Sequence, residues 1–166
     1  MKILKFVAGY CWTQIQTTIH KFWVFYYTLK FCFKDNKTKK KLILFVCALY
    51  HDCSKYSWAE AKGFATTIFD LKHSTYGTDE YKALLKKIEP SIQHHYKRNG
   101  HHPEFWPNGI EDMNEIEKVE MLIDWRSATK RHANGNIYKS IEINQKRFNY
   151  DDKTKEWLIS MAKILD

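Results

Sequence analysis

The chain has 166 residues, 44% of them apolar and 16% aromatic, with a formal net charge of +8. This size and composition exclude a disordered chain and a disulfide-stapled miniature, leaving a single domain over residues 1–166 with a sizeable core. The charge comes almost wholly from lysine, arginine being confined to Arg98, Arg126, Arg131 and Arg147; bidentate recognition of phosphates and bases favours arginine, so nucleic-acid binding is only weakly signalled.

Only Gly9 interrupts the first 62 residues, proline is absent before Pro90, and apolar residues recur three and four apart. That spacing predicts helix. A first helix is expected over residues 4–33. Its start, with Lys2 and Lys5 before a short apolar run, lacks a small-residue cleavage site, so no signal peptide is expected. Residues 22–33 are aromatic-rich but interrupted by Lys30, and fall short of the ~20 apolar residues of a bilayer span. They read as a core helix, and no membrane partner is expected. Residues 34–41, the densest lysine cluster, read as a loop whose simplest role is a solvated turn. A second helix is expected over 40–55 and a third over 57–71, followed by a turn at 74–78.

Residues 79–97 form a fourth helical region in which Pro90 marks a kink or break. Pro103, Pro107, Gly100 and Gly109 make residues 99–110 a structured loop. A fifth helix is expected over 113–130, ended by residues 133–136. Helical segments over 137–147 and 152–164 close the chain, the last capped by Asp151 or Asp152. The fold expected is all-α, a single-domain bundle of about six or seven helices. Cys11, Cys32, Cys47 and Cys53 lack paired metal-ligand spacing; three of them lie in apolar helical stretches and read as reduced core thiols, which points to a reducing, cytoplasmic compartment.

The chemistry gathers around a doublet. His51-Asp52 ends the apolar run 42–50 and is followed by Cys53-Ser54-Lys55. An imidazole and a carboxylate are both costly to bury alone, and both ligate metals. His20 lies in a mainly apolar helix, and Asp124 in Glu120-Met121-Leu122-Ile123-Asp124-Trp125. Taken singly, such a histidine is more simply a core imidazole bonded to a carbonyl, and such an aspartate a salt-bridge partner. Taken together, all four are satisfied at once by one shared divalent cation. That requires His20 and Asp124 to lie within roughly 10 Å of each other.

Lys55, one helical turn beyond the doublet, either holds an anionic substrate oxygen or pairs with Asp52 or Glu60. Four of the eight histidines, His94, His95, His101 and His102, fall within residues 94–102. His94 is expected to point into the site and His95 to be exposed, since adjacent helical residues point about 100° apart. One or both of His101 and His102 would complete a second metal position; their simpler role is to cap helix ends or touch phosphate. Glu104 either orients a histidine or acts as a general base. His73 and His132 read as surface residues.

The order His20, His51-Asp52, Asp124 resembles the HD-domain superfamily of metal-dependent phosphohydrolases, whose His…His-Asp…Asp side chains converge on a metal within a helical bundle. His51-Asp52-Cys53-Ser54-Lys55 matches the His-Asp-x-x-Lys form of many members. His101-His102-Pro103-Glu104 is similar to the His-His-Glu segment of the cyclic-dinucleotide phosphodiesterases, but their Gly-Tyr-Pro loop is missing, which argues against that specificity. A closer resemblance, over roughly residues 15–130, is to a small family within or near the superfamily. Its pattern corresponds here to His20-Lys21, His51-Asp52-Cys53-Ser54-Lys55, Asn99-Gly100-His101-His102-Pro103-Glu104 and Glu120-Met121-Leu122-Ile123-Asp124-Trp125.

The resemblance implies a phosphohydrolase acting on a nucleotide or other small phosphate ester through a metal-activated water. The implied ligands are His20, His51, Asp52, His94, His101, His102 and Asp124, holding one or two divalent ions (Mn, Fe, Co, Zn or Mg). Asp52, Lys55 and Glu104 would be catalytic, and Lys55, Arg98 and Arg126 would bind substrate phosphate. Some HD-fold proteins with this pattern are diiron oxygenases, a second reading. A non-catalytic metal- or ligand-binding domain is a third, and nucleic acid is a minor alternative as substrate or partner.

Overall fold

Long stretches free of proline and glycine, with apolar residues at helical spacing, leave the backbone no better way to satisfy its N–H and C=O groups than helix. The computed structural model describes residues 2–36, 39–74, 78–131 and 135–166. Among these there is no strand. The described residues form eight α-helices: α1 (Lys2–Lys34), α2 (Lys41–Tyr50), α3 (Trp58–His73), α4 (Asp79–Lys87), α5 (Glu89–Tyr96), α6 (Glu115–Ala128), α7 (Ile137–Phe148) and α8 (Asp152–Leu165). Short 3₁₀ helices occupy Cys53–Tyr56, Pro103–Phe105, Gly109–Asp112 and Thr129–Arg131.

The all-α expectation holds, but the helices number eight rather than six or seven. The extra one comes from residues 79–97, which divide at Ile88 into α4 and α5. Pro90 sits in the first turn of α5, where its missing N–H is no loss. The second helix is shorter than expected. It stops at Tyr50, His51 turns extended (φ −47°, ψ 129°), and Asp52 takes the left-handed conformation (φ 56°). Residues 37–38 of the lysine-rich loop, 75–77 of the expected turn, His132 and residues 133–134 lie outside the described residues. No described helix is long and apolar enough to cross a membrane.

Contacts divide the chain into two compact units, each discontinuous in sequence. The first comprises Met1–Ile19 and Asp52–Asn99. Its core is built by close approach. A Cβ on Gly9 of α1 would lie 2.1 Å from the carbonyl oxygen of Ala65 on α3, and one on Gly63 of α3 would lie 2.2 Å from Ser91 Oγ on α5. Ser91 Oγ donates to the Ala59 carbonyl (2.9 Å), tying α5 to α3. Gly9→Ala is therefore expected to destabilise the protein by about 1–3 kcal/mol, because backbone cannot swing aside as a side chain can. A chemical denaturation midpoint equal to wild type would refute this packing.

The second unit comprises His20–His51 and Gly100–Asp166. Val24, Phe31, Leu44, Leu122, Ile141 and Leu158 are among its fully buried side chains. Its central element is α6, where Val119 to Ile123 are all buried. Asn114 caps α6, accepting from the N–H groups of Ile116 and Glu117, while Glu117 accepts from the Asn114 N–H. That reciprocal cap sets where α6 begins, and so which faces Glu120 and Asp124 present.

Candidate metal centre

In the second unit, Glu120 and Asp124 lie one turn apart on α6, on the same face. His20 comes from α1, His51 from the end of α2, and His101 from the loop after Gly100. His20 Nε2 lies 2.8 Å from Asp124 Oδ1, and His51 Nε2 lies 3.5 Å from the same oxygen. His51 Nδ1 lies 3.1 Å from Glu120 Oε1, and His101 Nδ1 3.4 Å from it. The rings of His51 and His101 stack, with centroids 4.2 Å apart. His20, His51 and His101 are each at most 3% exposed. The separation expected between His20 and Asp124 is met with room to spare.

These five residues form two triads that share His51. Ligating atoms of His51, His101 and Glu120 lie within 4.8 Å of one another, as do those of His20, His51 and Asp124. Two atoms bound to one ion at about 2.1 Å in a tetrahedral array lie roughly 3.4 Å apart. The 3.5 Å between His51 Nε2 and Asp124 Oδ1 matches that, and a mixed imidazole–carboxylate set suits a borderline divalent ion. The buried clusters can therefore hold a metal ion.

Without an ion, the imidazole N–H groups donate to the carboxylates. Burial alone would raise the Glu120 carboxyl, but hydrogen bonds and charge from His101 and His51 outweigh it and bring it down to about 2. Burial opposes ionisation of Asp124 too, yet its bonds to His20 and His51 hold it well below the usual carboxylate range. Both side chains are thus anionic at neutral pH, the form in which carboxylates bind cations.

Lys21 secures the end of α2. Its ammonium donates to the carbonyl oxygen of Leu49 (3.1 Å) and to that of His51. The His-Lys pair thus has a division of labour: His20 faces Asp124, and Lys21 satisfies the carbonyls orphaned where α2 stops.

The first unit holds a polar cluster of its own residues. Asp52 is fully buried, and its carboxylate accepts from the Lys55 ammonium and lies 3.3 Å from His95 Nε2. His95 Nδ1 lies 3.0 Å from Glu60 Oε2, and His94 Nδ1 lies 2.7 Å from Glu60 Oε1. Glu60 is completely buried. Burial works against its charge, but donation from His95 and His94 lowers its carboxyl below the ordinary value. Asn99 anchors the group, donating to Ser54 Oγ at 2.8 Å and to the His95 carbonyl at 2.7 Å.

Several expectations change. His95 is buried (4% exposed), not exposed, and it is His95 rather than His94 that faces Asp52. The start of α5 at Glu89 sets the phase of this helix, and the pull of Glu60 holds both rings on its inner side. Lys55 lies on a 3₁₀ turn instead of continuing α2, and pairs with Asp52. Glu104 is exposed and bonded to Arg147 at 2.6 Å. The Arg126 guanidinium bonds Thr129, lies over the Tyr27 ring and pairs with Asp166. Arg98 and His73 are exposed, and His102 is half-buried with its ring 4.3 Å from that of His101.

The sequence reading missed Glu60 and Glu120 as partners of the histidines. A signal for Glu120 existed, since it precedes Asp124 by four residues on a helix with apolar neighbours. Glu60, flanked by Ala59 and Ala61, offered less.

The fold and these clusters together define an all-helical protein with a candidate metal centre. The chain belongs to a family of unknown function, DUF5662, whose profile matches residues 12–165. That match carries no link to the HD-domain superfamily. No protein with a curated description and no solved structure is detectably similar to the chain.

Proposed function

We propose that this protein is a metal-dependent phosphohydrolase acting on a nucleotide or another small phosphate ester. The observation that carries the reading is the buried convergence of His20, His51, His101, Glu120 and Asp124. The His51-Asp52-Cys53-Ser54-Lys55 motif supports it from the sequence. A bound divalent cation would polarise a phosphate oxygen and ease ionisation of the attacking water.

The chain's own residues have distinct tasks. His20, His51 and Asp124 would hold the ion, and the HD resemblance assigns Asp52 as a further ligand. Glu120 orients the rings of His51 and His101, fixing which nitrogen is turned to the ion. The Lys55 ammonium, 21% exposed and held by Asp52, neutralises substrate charge. His101 and His102 would serve the second ion that the resemblance implies. Free thiols at all four cysteines suit a reducing cytoplasm.

The test is elemental analysis of protein purified without chelator or His-tag, combined with a nucleotide and phosphoester panel. The expected result is one or two equivalents of a transition metal per chain and metal-dependent release of phosphate or nucleoside. Protein that takes up no metal under replete conditions would refute the centre. Turnover requiring bound iron and oxygen would replace the hydrolase by the oxygenase reading.

A further inference from the structure

The net charge is not spread along the chain. Residues 1–50 contain nine lysines and one acid, Asp35, whereas the remaining residues hold 18 basic and 18 acidic side chains. The whole excess of +8 therefore belongs to the segment that forms α1 and α2.

The part of that segment in the second unit also shows an uncovered apolar face. On α1, Val24, Tyr27 and Phe31 face the core, while Phe22, Tyr26 and Phe33 at the opposite helical phase are exposed. On α2, Leu44 and Ala48 face the core, and Leu42, Leu49 and Tyr50 are exposed. Phe25 and Phe45 touch across the seam between the two helices, with centroids 5.4 Å apart, so the exposed residues continue from one helix to the other. Phe22 is 62% exposed, Phe33 83%, Leu42 77% and Tyr50 72%. From side-chain sizes this amounts to roughly 700 Å², above the ~300–600 Å² patch of an ordinary monomer.

Lysines frame one end of the face. Lys34, Lys39 and Lys40 are exposed beside Phe33 and Leu42. Lys41 is turned inward, donating to the carbonyl oxygens of Cys32 (2.7 Å) and Asp35. The local acid, Asp35, is buried. A second copy of the chain would bring lysines to lysines and offer no acid from the same segment. An anionic lipid surface supplies both an apolar layer and the opposite charge.

We propose that the α1–α2 pair docks on an anionic lipid surface. Phe33 and Leu42 enter the headgroup–acyl boundary, and Lys34, Lys39 and Lys40 meet lipid phosphates. Sequence length excluded a spanning segment, but lying on a surface needs no span. The proposal is independent of the hydrolase reading, because none of these side chains belongs to the metal cluster.

The experiment is co-sedimentation of the full chain with phosphatidylcholine vesicles, with and without roughly one-third phosphatidylglycerol, at low and high salt. Binding to the anionic vesicles alone, weakened by salt, is expected. Replacing Lys34, Lys39 and Lys40 by glutamine should lower the partition coefficient about fivefold per lysine. The neutral double variant Phe33→Ser/Leu42→Ser should lower it as well, with circular dichroism and metal content unchanged. Absence of sedimentation with anionic vesicles would overturn the proposal. So would binding indifferent to headgroup charge, or light scattering that shows a dimer abolished by Phe33→Ser/Leu42→Ser without vesicle binding.

Discussion

His51→Ala is expected to lower metal affinity by at least about 100-fold and to remove phosphoester hydrolysis with it. Loss of a partner that merely orients a ligand costs about 10–100-fold, so loss of a shared ligand sets a higher floor. His51 is shared in the literal sense: Nδ1 lies 3.1 Å from Glu120 and Nε2 3.5 Å from Asp124. Its removal also leaves Glu120 facing a void with one donor fewer. Asp52→Ala is expected to fail in the same two assays. Metal content after dialysis, turnover and a far-ultraviolet spectrum separate loss of the ion from loss of the fold, with His73→Ala as the exposed control. Full turnover by a metal-free His51→Ala or Asp52→Ala protein would end the catalytic assignment.

Glu60→Gln is expected to cost about 2–3 kcal/mol of stability, which for a chain of this size corresponds to a fall of roughly 5–10 °C in melting temperature. The substitution keeps shape and volume. It replaces one of two acceptor oxygens by an amide N–H₂ facing an imidazole N–H, so His94 or His95 loses its acceptor. His95 and Glu60 are almost wholly buried, and solvent cannot make good the loss. Because Glu60 ionises below its usual range, its contribution exists above the unfolded-state value and fades as acid protonates it. The gap between the two proteins should therefore narrow toward low pH. Glu80→Gln at the exposed start of α4 should change nothing measurable. A Glu60→Gln melt within 1 °C of wild type would show that the carboxylate is dispensable.

What could be read from the sequence follows from which physical signals are local. His20, His51 and Asp124 stood out because each interrupts an apolar run, and a polar group there needs a partner. That α1 is one continuous helix was legible from the absence of breakers. The end of α2 was not: it depends on Asp52 adopting a left-handed backbone, and nothing in Tyr50-His51-Asp52-Cys53 announces that conformation. Glu120 was hidden among Glu115, an exposed first-turn carboxylate, and Glu117, whose carboxylate caps α6. The exchange of His94 and His95 turned on helical phase. One residue's uncertainty in where α5 begins rotates every later side chain by about 100°, and Pro90 bounded that start without fixing it.

The second unit is assembled from residues 20–51 and 100–166. His20 and Asp124 are 104 positions apart in the chain. At a synthesis rate of about 5–20 residues per second, the ribosome delivers His20 roughly 5–20 s before its carboxylate. During that interval α1 and α2 have no α6 to cover Val24, Phe31 or Leu44, and the imidazoles have neither Glu120 nor Asp124. Any ion capture at this cluster would thus be a late event in the birth of the molecule, following emergence of α6. The period of greatest risk for the nascent chain is the wait before it, when two apolar helices are already made and their cover is still being translated.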